Sequence, residues 1–475
     1  MDKTKVALLT FAEHRDDFYF KRRSLVEKHS RQVRELLSRH VDIFAFDEPI
    51  RSLEKVREAC AAVRKTVCDC VVFNIPIWVA PNLTAVAAKL LQLPIVLLAN
   101  TELETSSLPG MLGCGAALDQ VGIAHRRLWG NLDDQEFLKK LWAFFAAARA
   151  VNRLRGMRYG MFGGRSLGIY SAVFDASQWL SLFGIDAEHM DQVEIIRRAE
   201  KQPTQEVKSL ARWLFEQGLV TEFNDTLFTE EHLQKQIRSY LATREIVAEN
   251  KFAFISIKCQ PELSNGYCLQ CLNCALLNDP YDHNGLKSPL PCACEADSDG
   301  ALTMILLNKI SGGKPTALMD IRGILPEEGI LLLNNCGSLP SFFAGRSINA
   351  ADNLQKIKMV PHVFGEAGGG SIQFTCAPGP LTLVRFCRKG GHYRLVVTGG
   401  EVISGREDLL RSSTTCWPHA VVKTEINLKK FISEYSSNHI HAVPGDYRQE
   451  LVIAGRLLGI ETHLYNGGES HIEVE

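Results

Sequence analysis

The chain has 475 residues, 46% of them apolar, with 53 Lys and Arg against 54 Asp and Glu. That length exceeds what one hydrophobic core serves and predicts roughly two to four domains, while the composition excludes disordered and collagen-like classes. The near-zero charge argues against nucleic acid or an anionic membrane as a partner recognised by bulk charge.

Val6 to Thr10 reads as a first buried strand, directly after a short polar start. No signal-peptide core precedes it, and no apolar run reaches the ~18 residues that a bilayer requires. Together with 14 cysteines, this gives the cytoplasm, free thiols and no membrane as expectations. A charged helix through Arg31 to Leu37 follows. Strands are predicted over Val41 to Phe46, Cys70 to Asn74 and Pro94 to Asn100, with a helix around Leu53 to Thr66. Strands alternating with amphipathic helices mean a parallel α/β sheet. The pattern restarts at Arg158 to Gly164, after a long helix ending near Leu154, so a first domain is expected over 1–154. Phe252 to Lys258 is a late strand of a second α/β domain, 155–318. Beyond Asp320, short apolar runs at Gly329 to Leu333, Leu381 to Arg385 and Tyr393 to Val397 are separated by Gly- and Pro-rich turns. They predict antiparallel strands, a barrel or a sandwich, over 319–475.

The most informative stretch is Cys294-Glu295-Ala296-Asp297, followed by Asp320 in Leu318-Met319-Asp320-Ile321-Arg322. Gly300 to Leu307 between them reads as a buried helix, and Lys314 to Met319 as a strand. Glu295 is thus expected at a helix start and Asp320 at a strand end. Carboxylates brought together at element ends repel unless a cation sits between them. His439 is a third candidate ligand. Two carboxylates and an imidazole with open positions suit Mn²⁺, Mg²⁺ or Fe²⁺ better than structural zinc. Taken singly, each of the three reads better as a cap or a solvated side chain.

Other motifs carry less. Gly160 to Arg165 completes no dinucleotide fingerprint, and no P-loop spacing occurs. Cys268, Cys271 and Cys274, with Cys292 and Cys294, suggest an iron–sulfur or zinc site, but a bacterial cluster run needs a fourth Cys followed by Pro, and Ala275-Leu276-Leu277 after Cys274 lead to none. Buried thiols packing as small apolar groups are the preferred reading. Gln260, just past a predicted strand, stands where α/β sheets bind ligands and could hydrogen-bond hydroxyls. Trp78 occupies the same kind of position in the first domain, where an aromatic face can stack on a sugar.

Read together, these segments resemble the L-fucose isomerase family, relatives of L-arabinose isomerase. The resemblance is carried by 294–304, 318–322, Asn334-Asn335-Cys336-Gly337-Ser338 and 438–446. It implies two Rossmann-like domains, a C-terminal β-barrel domain and a homohexamer with sites between subunits. It implies Mn²⁺ on Glu295, Asp320 and His439, with Mg²⁺, Co²⁺ or Fe²⁺ as substitutes. It also implies sugar contacts from Gln260, Asn438, a neighbour's Trp78, Trp417 in Cys416-Trp417-Pro418-His419, and an N-terminal Arg, here Arg15 or Arg22. The chain departs from the family in being shorter and in carrying Pro261-Glu262-Leu263 after Gln260.

The implied reaction is aldose–ketose isomerisation of a free sugar, with Glu295 and Asp320 as proton-transfer groups. Arg15 and Arg22 lie in a cation-rich segment after the first strand, and an Arg fork suits sulfonate, carboxylate or phosphate. An anionic hexose such as sulfoquinovose is therefore an alternative to a neutral sugar. A non-catalytic sugar-binding protein and a cysteine-cluster redox protein are the readings from other classes.

Overall fold

Cys70–Ile75 and Ile95–Ala99 are buried at every position, the mark of parallel strands covered on both faces. They belong to a five-stranded, all-parallel sheet in the order Asp42–Ala45, Lys5–Thr10, Cys70–Ile75, Ile95–Ala99, His125–Trp129. The computed structural model describes residues 3–412, 417–467 and 469–473, so Cys416 lies outside the described residues. The connecting helices carry local start signals: Ser52 accepts the Lys55 amide ahead of Leu53–Arg64, and Pro81 opens Pro81–Leu91. The fifth strand, His125-Arg126-Arg127-Leu128-Trp129, is absent from the sequence reading. Its cations suit an edge, where charge blunts further pairing. This sheet lies in a compact unit made of residues up to Arg153 together with Gln449–Gly459.

The second unit comprises Leu154–Arg448 and Ile460–Glu475. It contains a second all-parallel sheet in the order Cys292–Ala293, Phe254–Ile257, Arg158–Phe162, Asp186–Met190. Helix Ser298–Ile310 is buried at every position except Lys309, as a helix apolar on all sides must be. A mixed eight-stranded sheet takes up much of the remainder. Six of its strands run in the order Gly379–Lys389, His439–Pro444, Ala317–Leu325, Ile330–Asn334, His419–Lys423, His392–Val402. The last pairs back to the first, closing a ring of hydrogen-bonded strands. Pairing is antiparallel except where His392–Val402 meets Glu461–Asn466 in parallel.

One local expectation changes. Asp320 does not end a strand: it lies inside Ala317–Leu325, directly opposite His439 on one side and Asn334 on the other. The apolar run before Asp320 marks only the buried half of that strand, and the partly exposed half continues past it. Of the three closely spaced cysteines, Cys271 and Cys274 lie on one helix that begins at Cys271, and Cys268 precedes it.

Candidate metal centre

Two local geometries bring the three candidate ligands together. Glu295 follows Cys292–Ala293 at the carboxyl end of the second parallel sheet, where α/β sheets place functional groups. Glu295 and Ala296 have φ of 58° and 51°. Two successive non-glycine residues in the left-handed region cost about 1–3 kcal/mol each and persist only where surrounding structure enforces them. The turn sets the Glu295 carboxylate 3.3 Å from His439 Nε2. Asp320 reaches the same nitrogen at 3.5 Å by strand register. The ligand atoms of Glu295, Asp320 and His439 all lie within 4.8 Å of one another.

The opposite face of the imidazole is fixed by charge. His439 Nδ1 stands 2.7 Å from Asp297, and Arg385 donates from both terminal nitrogens to the same carboxylate at 2.5 and 3.0 Å. Asp297, Arg385 and His439 are fully buried. Asp297 also accepts the Gly300 amide at 2.9 Å and so caps helix Ser298–Ile310. A side chain at Gly300 would sit 2.5 Å from His441 Nε2 and 2.6 Å from Asp297, so only glycine lets the helix start approach this closely. The ring strand Gly379–Lys389 clamps that start: Arg385 binds Asp297, the Phe386 amide donates to Thr303, and Arg388 donates to Asp299 at 2.8 Å. Sequence reasoning noted Asp297 only as part of the segment and missed Arg385. The available signal was an acid at an N-cap position two residues after a candidate ligand.

The donor set fits a divalent cation. His439 Nε2 is buried and makes no directed hydrogen bond, although two carboxylates converge on it. Burial is the largest influence on Asp320, pushing its carboxyl up to about 6, with Glu295 adding and His439 opposing. Burial opposes charge on His439, but Asp297 and Glu295 outweigh it and raise the ring to about 10. Burial also disfavours the Asp297 carboxylate, yet Arg385 and His439 hold it well below the usual range. The cluster therefore favours positive charge between its acids. Two carboxylates, one imidazole and an outer acceptor on the second ring nitrogen match a hard-to-borderline metal with open positions.

The remaining predicted residues fall at several places. Asn438 adjoins the triad, its amide donating to Asp320 at 3.4 Å and its carbonyl accepting the Ile321 amide. Gln260 stands just past Phe254–Ile257, half-buried, and its backbone carbonyl accepts from Ser166. Trp417 packs 5.9 Å from Phe364 and lines a cavity of about 570 Å³ with Phe374 and His419; none of the three candidate ligands lines that cavity. Arg15, Arg22 and Trp78 belong to the first unit, where they line one cavity of about 260 Å³ with Glu13, Phe18 and Ser106. That cavity opens beyond the carboxyl ends of Lys5–Thr10 and Cys70–Ile75, the switch point of the sheet.

The model of the L-fucose isomerase first N-terminal domain matches residues 19–156, and that of the C-terminal domain matches 333–465. A sulfoquinovose isomerase of Alkalicoccus urumqiensis is 23% identical over 75% of this chain and 76% of its own. One of Priestia megaterium is 21% identical over 71% of both chains. An L-fucose isomerase of Haemophilus influenzae is 24% identical over 77% of this chain and 75% of its own. The two domain models together match more than half of the sequence, and the chain belongs to the L-fucose isomerase family.

Proposed function

We propose that this protein is an aldose–ketose isomerase of a free sugar, with a divalent cation, Mn²⁺ first among the candidates, held by Glu295, Asp320 and His439. The observation that carries this reading is the convergence of two carboxylates on one buried ring nitrogen that lacks a hydrogen bond. The relatives named L-fucose and sulfoquinovose isomerase support it.

Isomerisation moves a proton between two neighbouring carbons of an open-chain sugar. A cation in this site supplies electrostatic stabilisation for the charge that develops on the two sugar oxygens. In this reading Glu295 and Asp320 take the proton from one carbon and return it to the other. The rigid turn at Glu295 and the strand register of Asp320 fix their positions before substrate arrives, which favours proton transfer by proximity. Asp297 keeps a proton on His439 Nδ1 and so turns the Nε2 lone pair toward the two acids. Gln260 and Asn438 are proposed to hydrogen-bond sugar hydroxyls, with Trp78 and Trp417 as stacking faces.

The first-unit cavity favours an anionic hexose. Arg15 is neutralised by Glu13 through contacts of 3.1 and 2.9 Å. Arg22 lines the same cavity with no hydrogen bond or ion pair among the described residues. An unpaired guanidinium beside Trp78 suits a sugar carrying a sulfonate or carboxylate. We also read the two parallel sheets as Rossmann-like, the closed strand ring as a β-barrel, and the working protein as a homohexamer in which Trp78 serves a neighbour's site.

Incubating the protein and Mn²⁺ with aldoses, among them L-fucose, D-arabinose and sulfoquinovose, tests the reading by ketose formation. Tight Mn²⁺ binding without conversion of any aldose would leave a sugar-binding protein instead. A fully active monomer in sedimentation would rule out the shared site.

A further inference from the structure

Beside the candidate metal centre runs a chain of thiols that the proposed reaction does not use. Cys292 Sγ lies 3.7 Å from Cys274 Sγ, and Cys294 Sγ lies 3.9 Å from Cys336 Sγ. The sulfurs of Cys271 and Cys336 and a ring nitrogen of His362 all lie within 4.8 Å of one another. That trio does not read as a metal site. His362 Nδ1 accepts the Phe364 amide at 2.9 Å, so its proton sits on Nε2 and is donated to the Cys336 carbonyl at 2.7 Å. Neither ring nitrogen has a lone pair left for a metal.

We propose that Cys294 and Cys336 form an oxidative modification site whose disulfide disarms the metal centre. The proposal rests on Glu295, Asp320 and His439 being that centre. Two observations single out the pair. Cys336 is partly exposed, whereas Cys271, Cys274, Cys292 and Cys294 are buried, so the pair is reached from the Cys336 side. Cys294 is the residue before Glu295, and Cys336 lies two residues after Asn334, which pairs with Asp320. A disulfide therefore joins the turn that carries one metal ligand to the loop leaving the strand beside the other.

The chemistry needs one peroxide. One sulfur of the pair takes one oxygen from hydrogen peroxide, giving a sulfenic acid and one water. The other thiol then attacks that sulfur, the S–S bond forms, and the hydroxyl leaves with the thiol proton as a second water. The two thiols lose two electrons and the peroxide gains them. The bond draws the sulfurs from 3.9 Å to about 2.05 Å. Glu295 sits in a strained left-handed turn one residue away. A displacement of this size there is large against ligand contacts of 3.3 and 3.5 Å.

The test treats the full-length reduced protein with hydrogen peroxide, maps disulfides by non-reducing digestion and mass spectrometry, and measures Mn²⁺ affinity by electron paramagnetic resonance. The expected result is a Cys294–Cys336 link with at least about tenfold weaker Mn²⁺ binding, reversed by dithiothreitol. Cys336→Ser should keep its affinity through the treatment, and Cys271→Ser should still form the link. No link, a link of Cys336 to Cys271 instead, or a Cys294–Cys336 link with unchanged affinity each overturns the proposal. The map and its reversal in the unmodified protein decide the matter even if a variant fails to fold. Mn²⁺ binding by the untreated protein tests the metal reading separately, because the disulfide map does not depend on it.

Discussion

The first-unit cavity and the second-unit triad are built on opposite principles. Behind the triad, Asp297 answers Arg385, His439 and the Gly300 amide at once, and the side chains of Asp297, Arg385 and His439 are sealed from water. At the cavity, the Glu13 carboxylate answers only its chain neighbours Arg15 and His14, and Arg22 has no partner among the described residues. Groups that must hold fixed geometry through a reaction need locked neighbours, because rotamer freedom would cost rate. A recognition group gains from staying unpaired until its ligand arrives, since no existing ion pair has to be broken. The contrast predicts steep losses from changes at the triad and modest, substrate-dependent losses at the cavity.

The largest effect should come from Glu295→Gln or Asp320→Asn. Each removes a charged donor from a site of three, and the neutral amide is a weaker ligand. We expect Mn²⁺ stoichiometry near zero at micromolar metal and kcat/KM reduced by at least about a thousandfold. Metal analysis after gel filtration and a ketose assay would check both. Wild-type metal content in either variant would break the assignment.

Next in size is Asp297→Ala, at a residue that is not itself a candidate ligand but holds one in place. It strands Arg385 as a buried unpaired charge, a change that costs about 3–5 kcal/mol of stability. It also frees the His439 ring, which should weaken Mn²⁺ binding by about 10- to 100-fold. Asp297→Asn keeps a helix cap but neutralises the partner of Arg385, so it should recover part of the stability and little of the affinity. Thermal unfolding and metal titration separate the two losses. Affinity restored in the Asn variant would show that shape, and not charge, orients the imidazole.

Much of this contrast was legible in the sequence, for local reasons. Glu295 and Asp320 flank a buried helix that composition alone marks, and Arg15, Arg22 and Trp78 each follow an apolar strand. What escaped reading was non-local. The Asp320–His439 register joins strands far apart in the chain, and no local pattern encodes it. Arg385 ends an apolar run that read correctly as a strand, yet its full burial follows from Asp297 lying opposite. The edge strand His125–Trp129 went unread because an edge tolerates polar residues and so lacks the apolar run of a covered strand. The ring closure between Gly379–Lys389 and His392–Val402 likewise depends on pairings made elsewhere in the sheet.

The pH dependence of metal binding sharpens the same point. Ligation requires the Nε2 proton to leave His439, whose ring is raised to about 10, and requires Asp320, pushed up to about 6, to be ionised. Protons therefore compete with the metal, and affinity must fall as pH falls. Between about pH 10 and pH 6 the loss should be about tenfold per unit, from the single proton on His439. Below about pH 6 the slope should steepen as Asp320 also takes a proton. Isothermal titration in buffers of different ionisation enthalpy counts the protons released. Affinity independent of pH from 6 to 9 would show that His439 is already neutral without metal.

The smallest and most selective effect belongs to the cavity. Arg15 already spends its fork on Glu13, whereas Arg22 does not. Arg22→Ala should thus lower kcat/KM for a sulfonated or carboxylated hexose by about tenfold and leave a neutral aldose within about twofold. Arg15→Ala should act less on either sugar, and mainly by freeing the Glu13 carboxylate to repel an anion nearby. Raising ionic strength should shrink the Arg22 effect, because a half-exposed guanidinium is still partly screened over about 8–10 Å at ordinary salt. Equal losses on neutral and anionic sugars would remove the anionic reading. The reverse ranking, with Arg15 dominant, would mean that Glu13 releases its partner when substrate binds, and that this region too is held ready by an internal ion pair.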